Sequence, residues 1–124
     1  MLDHLVGLRV HIQLEEDGTD KPPSLPPGRI VRRLVGADRG DYYLVKLDFP
    51  VTCIRASTRK EWQLVDLVVA TRFADDKLDR ILSRRRKDAI PVGIANLLHP
   101  LSPDEPGFDL SKVDYFALGT IRRV

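Results

Sequence analysis

Two stretches of this chain alternate apolar and polar residues one by one, and no other feature constrains the fold as strongly. The first, residues 8–15, places four apolar side chains on one side: Leu8, Val10, Ile12 and Leu14. The second, residues 42–49, does the same with Tyr43, Val45, Leu47 and Phe49. A period of two is that of a strand with one buried face, because successive side chains point to opposite faces. The sequence therefore predicts a mainly β protein.

Four further segments read as strands. Residues 29–35 alternate weakly, residues 62–73 form an almost continuous apolar run typical of a strand buried on both sides, and residues 90–98 are rich in Ile, Val and Leu. The tail admits a helix over 111–119 or a strand over 115–124, and the strand is favoured. Pro50 is expected to end the strand that begins at residue 42, since proline cannot donate to a sheet ladder.

The intervening segments carry Pro, Gly and Asp, which favour loops. Within the loop at 99–107, Ser102 and Glu105 have the spacing of a capping box, and Pro106 and Gly107 limit it to one turn. Residues 75–88 predict one short helix. An apolar stripe at helical spacing supports it, and acidic and basic residues at its two ends match the helix dipole.

Six strands joined by mostly short connections favour an antiparallel small barrel or a strongly bent sheet. The order of elements resembles an SH3-like barrel over residues 8–73. The segments that carry the resemblance are Val10-His11-Ile12, the Pro-rich loop 16–27, Gly28-Arg29-Ile30-Val31 and Tyr43-Leu44-Val45-Lys46-Leu47. The resemblance implies a fold and no specific family, and the helix at 75–88 would be an insertion. We expect a single domain over residues 1–124.

Composition narrows the class. A chain of 124 residues with 43% hydrophobic residues is neither disordered nor collagen-like. No apolar run approaches the ~20 residues that span a bilayer, so we expect a soluble cytoplasmic protein without a membrane partner. Cys53 is the single cysteine, which fits a reducing compartment and a buried, inert thiol. Three scattered histidines give no metal-site spacing, and no cofactor is predicted.

The candidate binding residues are cations with two aromatic neighbours. If the fold brought them together, they would face phosphates or an acidic partner, and the aromatic rings would offer stacking surfaces. The candidates are Arg29, Arg32, Arg33, Arg55, Arg59, Arg84, Arg85, Arg86, Lys87, Tyr42 and Trp62. Interleaved aspartates and a net charge of +2 favour instead a solvated surface of mixed charge.

Other functions find less support. The segment 22–26 resembles a polyproline ligand, but Gly28 stands where the basic anchor would be expected. The chain has too few aromatic rings for an aromatic cage. No nucleophile, phosphate-loop or dinucleotide motif occurs, so no catalytic residue is assigned. We therefore expect a non-enzymatic protein-interaction or assembly module, with self-association through an exposed edge strand at 8–15 or 115–124. The alternatives are an Arg-mediated nucleic-acid-binding barrel and a small enzyme or ligand-binding barrel.

Overall fold

A computed structural model describes residues 5–16, 24–36, 40–55, 59–72, 89–99, 101–102 and 104–124. The described part contains six antiparallel strands and one short 3-10 turn, which confirms the predicted mainly β class. The strands are β1 (Arg9–Glu16), β2 (Gly28–Leu34), β3 (Tyr42–Arg55), β4 (Lys60–Thr71), β5 (Ile90–Leu97) and β6 (Val113–Arg123). The predicted helix at 75–88 lies outside the described residues.

The strands form a closed ring in which each pairs with the next and β6 returns to β1. The closing pair runs from Val10 opposite Arg123 to Leu14 opposite Gly119. The predicted edge strands at 8–15 and 115–124 are therefore paired with each other. The strand β6 also pairs with β5 and has no open edge, whereas β1 pairs with β2 only at Arg9 and Val10. Pairing on both sides removes the edge of β6, because its backbone groups are used within the barrel.

The barrel interior is filled by the apolar residues that alternation placed on one face. Tyr43, Trp62 and Tyr115 provide its aromatic part, and the Trp62 and Tyr115 rings meet edge to face at 5.1 Å. Cys53 is buried among them, as predicted. The aliphatic members include Val10, Ile12, Ile30, Val45, Leu64, Leu67, Val69, Val92, Ile94 and Ile121.

The third strand departs from its prediction. Pro50 does not end it: β3 continues to Arg55, and its pairing with β4 shifts register between Lys46 and Val51. Phe49, predicted to face inward, falls in this irregular stretch and is 59% exposed. Phe49 and Pro50 have no partner on β4 in this register, so the missing N–H of Pro50 costs no regular ladder bond there. The tail is a strand, as favoured, and a 3-10 turn at Leu110–Lys112 precedes it.

A second apolar cluster lies outside the ring. We call it the outer cluster; it comprises Leu34, Leu44, Val68, Leu97 and Val113. Leu101 and Phe108 pack on it from the segment before the 3-10 turn. We call that segment, Leu101, Ser102 and residues 104–109, the covering loop. It exists because outward apolar side chains on neighbouring strands need a cover against water.

The covering loop is fastened to β2 by polar contacts. The two guanidinium nitrogens of Arg32 donate to the Glu105 carbonyl at 2.7 Å and the Ser102 carbonyl at 3.2 Å. Val35 forms a parallel bridge with Gly107. The predicted single turn is present, with the Glu105 amide donating to the Ser102 carbonyl and the Ser102 amide to the Glu105 carboxylate. No helix in the described ranges has the length and apolar character to cross a membrane.

Candidate interaction surfaces

The outer wall of β4, β5 and β6 carries a groove of about 490 Å³, which we call the outer groove. Its floor is made of small outward-facing residues on β4 and β5: Val68, Ala70, Gly93 and Ala95. A Cβ added at Gly93 would meet no atom within 4 Å, so the space above this strand position is open. The register explains the floor, because Val68 is opposite Ala95 and Ala70 is opposite Gly93.

Aromatic side chains form the walls of the outer groove. On one side Tyr42 meets Phe108 of the covering loop edge to face, with ring centroids 4.9 Å apart. On the other side β6 presents Phe116 and Leu118, and Phe116 is 62% exposed. Phe116 lies opposite Ala95 in the register and therefore projects outward directly beside the small-residue floor.

Arg72 supplies the charge at one end of the outer groove. Its guanidinium donates to the Gly119 carbonyl at 3.1 Å and lies 3.7 Å from the Glu15 carboxylate. Because these contacts occupy and partly neutralise the guanidinium, the groove presents a mainly apolar surface. Exposed aromatic residues beside an apolar groove are characteristic of interaction sites.

The predicted binding cations on β2 are not grouped on one surface. Arg29 is exposed on the outer wall, whereas Arg32 is half-buried against the covering loop. Arg33 donates from its Nε to the Gly40 carbonyl at 2.8 Å and so braces the turn before β3. Two of the three guanidinium groups thus bind backbone carbonyls, a role that local sequence does not distinguish from phosphate binding.

The remaining predicted site residues lie apart. Arg59 is exposed at the turn between β3 and β4, Tyr42 is half-buried beside Phe108, and Trp62 is buried inside the barrel at 6% exposure. Trp62 therefore gives no open stacking face. The Arg55 side chain lies outside the described part of the structure, as do Arg84, Arg85, Arg86 and Lys87.

The strand register forms a row of cations that sequence reasoning missed. Arg9, Arg29 and Lys46 stand opposite one another across β1, β2 and β3, all on the outer wall; we call them the basic row. The two terminal N–H groups of the Arg9 guanidinium donate to the Asp48 carboxylate, at 2.6 and 2.7 Å. These hydrogen bonds lower the pKa of that carboxyl. The outward positions of the alternating strands were the available signal, but pairing partners were needed to align them.

Within the described ranges, no three acidic, His or Cys side chains come together as metal ligands would. Comparison with protein-family models, with curated proteins and with solved structures found no match for this chain.

Proposed function

We propose that this protein is a non-enzymatic assembly module that self-associates through the outer groove. The observation that carries the proposal is the exposed Phe116 ring beside a floor of small residues. We also propose that the barrel is of the SH3-like type. Its support is the long connection between β1 and β2, and the return of the last strand to the first.

The outer groove has the two complementary parts that a two-fold interface needs. In such an interface the same patch serves both copies, so a projecting group must find its pocket on that patch. Phe116 is the projecting group, and the floor around Gly93 and Ala95 is the adjacent pocket. Inserting each Phe116 ring into the partner's groove would bury a large aromatic surface twice, once per copy.

Charge also favours a second copy at the outer groove over one at the basic row. Two copies of the basic row brought together would repel each other, because its three cations outnumber the neighbouring carboxylates of Asp48 and Asp66. The outer groove has Arg72 as its charged lining residue, and Arg72 already contacts Glu15 and a backbone carbonyl. Among the described residues, burying this surface against itself therefore places no unpaired like charges in contact.

The size of the outer groove predicts a concentration-dependent dimer. Stable interfaces bury about 800 Å² per partner, more than the floor of the outer groove supplies alone. The rim, including Leu118 and the Tyr42–Phe108 pair, must therefore take part. We expect the dimer to dissociate on dilution through the micromolar range, which is the affinity of interfaces below standard size.

The test measures mass by light scattering and sedimentation across a dilution series. The unmodified protein is expected to give about twice 14.1 kDa at high concentration. Phe116→Ser should move the equilibrium toward monomer by at least tenfold in Kd. Phe49→Ser is the matched control, because Phe49 is 59% exposed on β3 and lines no part of the outer groove. A strict monomer at every concentration would overturn the proposal.

Gly93→Val provides a second variant that fills the outer groove and leaves Phe116 in place. The added side chain points into open space, and a β-branched residue suits a strand. We expect the variant to fold as stably as the unmodified protein and to remain monomeric. Dimerisation at unchanged affinity would show that the groove floor is not the contact.

The basic row supports a second candidate function, binding of a nucleic-acid backbone. Three cations aligned across neighbouring strands match the spread of charge that phosphate contacts require. The positive charge of this surface is reduced, because Asp48 accepts hydrogen bonds from Arg9 and Asp66 lies opposite Lys46. Because three cations contact about three phosphates, binding of a mixed DNA and RNA pool should fall by about 40-fold between about 50 and 200 mM salt.

Variants separate this second candidate from non-specific attraction. Arg29→Ala should weaken binding and flatten the salt slope by about one charge. Arg59→Gly is the control, because it removes a cation outside the row at a position with φ of 54°, which glycine adopts readily. Equal effects of the two substitutions would mean that net charge alone is responsible.

A further inference from the structure

A recess at one end of the barrel is separate from the outer groove. It has a volume of about 300 Å³, and its lining includes Trp62, Asn96, Asp66, Asp114 and Glu61. None of its lining residues also lines the outer groove. We call it the mouth recess, since the mouths of β-barrels are frequent sites of ligand binding.

Asn96, which lines the mouth recess, has a side-chain oxygen without a hydrogen-bond partner in the described part of the chain. Its side chain faces the barrel interior on β5 and is only 5% exposed. Its Nδ2 donates to Asp114 Oδ1 at 3.1 Å, which fixes the orientation of the amide. The Oδ1 on the other side is buried and accepts no hydrogen bond from the described part of the chain. A buried acceptor is nearly always paired, so a donor from outside is expected.

The carboxylates around Asn96 favour a hydrogen-bond donor that carries a positive charge. Asp66 and Asp114 are half-buried in the lining, and Glu61 is exposed at the rim. The ammonium of Lys60 lies 5.2 Å from the centre of the Trp62 ring, so one cation already stands beside this end of the barrel, and the three carboxylates outnumber it. A group that donates hydrogen bonds and carries a positive charge would pair with the carboxylates and also with the buried Asn96 Oδ1.

We propose that the mouth recess binds a primary ammonium group, with Asn96 Oδ1 as the acceptor and Asp114 and Asp66 as the counter-charges. A slim ammonium fits better than a planar guanidinium because the acceptor lies below the surface. The ammonium belongs either to a free diamine or to the lysine side chain of a peptide, and the chemistry of recognition is the same. This inference is independent of the proposed self-association.

The fluorescence of Trp62 reports on the mouth recess directly, because it is the only tryptophan in the chain. Putrescine is titrated in one arm and a short lysine-containing peptide in another, each against sodium chloride and tetramethylammonium chloride at equal ionic strength. We expect a saturable change with an amine and none with the two salts. The arm with the lower Kd identifies the source. An identical change in all titrations would overturn the proposal, leaving bound water as the partner of Asn96.

Two variants test the assigned atoms. Asp114→Asn keeps an oxygen for the Asn96 amide and removes a charge, and it should weaken amine binding at least tenfold. Asp104→Asn removes an equal charge from an exposed position outside the recess and should leave Kd unchanged. Asn96→Leu removes the acceptor and should abolish the response, with a melting curve to verify folding. Amine binding retained in folded Asn96→Leu, or weakened equally by both Asp variants, would overturn the assignment.

Discussion

The two apolar clusters of this protein are closed to water in different ways. The interior cluster is surrounded by a complete ring of strands, whereas the outer cluster is covered on one side by a loop. Beyond Phe108 the same outer wall opens into the outer groove. The strands β4 and β5 therefore have the sealed interior cluster on one face and the partly covered outer cluster on the other.

The contrast shows which apolar residues need a functional explanation. Inward residues are accounted for by the barrel, and outward positions of a half-buried sheet are normally polar. On β1, β2 and β3 the outward residues Arg9, Arg29 and Lys46 follow that rule, whereas Val31, Phe49 and Ile54 are exposed apolar exceptions that do not line the outer groove. On the other half of the wall Phe116 and Leu118 face out instead. The combination of exposed apolar side chains with an adjoining groove, more than any motif, is what supports an interaction surface there.

The largest effect is expected inside the ring, from Gly119→Val. A Cβ at Gly119 would overlap the carbonyl oxygen of Gln13 and approach Ile94. The pairing of β6 with β1 would have to separate, at a cost of about 3 kcal/mol in the free energy of unfolding. Urea denaturation measures this loss. Gly93→Val on the neighbouring strand is the outward control, and equal losses would contradict the distinction between the two faces.

A smaller effect is expected from Gly107→Ala in the covering loop. The new Cβ would overlap the Val35 carbonyl oxygen, so the bridge between loop and β2 must open. We expect a loss of about 2 kcal/mol. Hydrogen exchange should quicken at the Phe108 and Val35 amides, which donate across this bridge. Exchange inside the ring should stay slow; if it quickened equally, the two clusters would be one cooperative unit.

Replacing Arg32 tests the polar fastening of the same loop. Arg32→Ala removes the bonds to the Glu105 and Ser102 carbonyls and should cost about 1 kcal/mol. Arg32→Lys should recover only part of this loss, because an ammonium lacks the fork that reaches two acceptors. Thermal unfolding of the three proteins provides the measurement. Full recovery by lysine would mean that charge, and not geometry, fastens the loop.

The smallest effect is an acid dependence at the loop surface. Hydrogen bonds from Lys112 and Ser102 lower the pKa of Glu105 from 4.5 to about 2. A lowered pKa stabilises the fold above pH 4.5, and this contribution disappears as the pH falls through about 2. The difference in stability between the unmodified protein and Glu105→Gln should thus be constant near neutral pH and shrink in acid. A difference independent of pH would contradict the role of this carboxylate.

Much of the fold could be predicted from the sequence, because a period of two is imposed by each strand alone. Strands near 8–15, 29–35, 62–73 and 90–98 are present with boundaries shifted by a few residues. Phe49 and Pro50 were mispredicted, because a register shift depends on the partner strand and leaves no periodic signal. The candidate binding site was predicted less well than the strands, because Arg32 and Arg33 bind carbonyl groups that only folding brings within reach.

By itself the sequence determined the class of structure: alternation indicated most of the residues that face the core, although it misplaced Phe49, and clusters of Pro and Gly indicated the loops. Tertiary structure alone decided that β1 and β6 pair, so that β6 has a partner strand on each side. It also aligned Arg9 with Arg29 and Lys46, and Phe116 with Ala95. The physical reason is that side-chain direction is a local property of the strand, whereas neighbours across strands are set by register and ring closure.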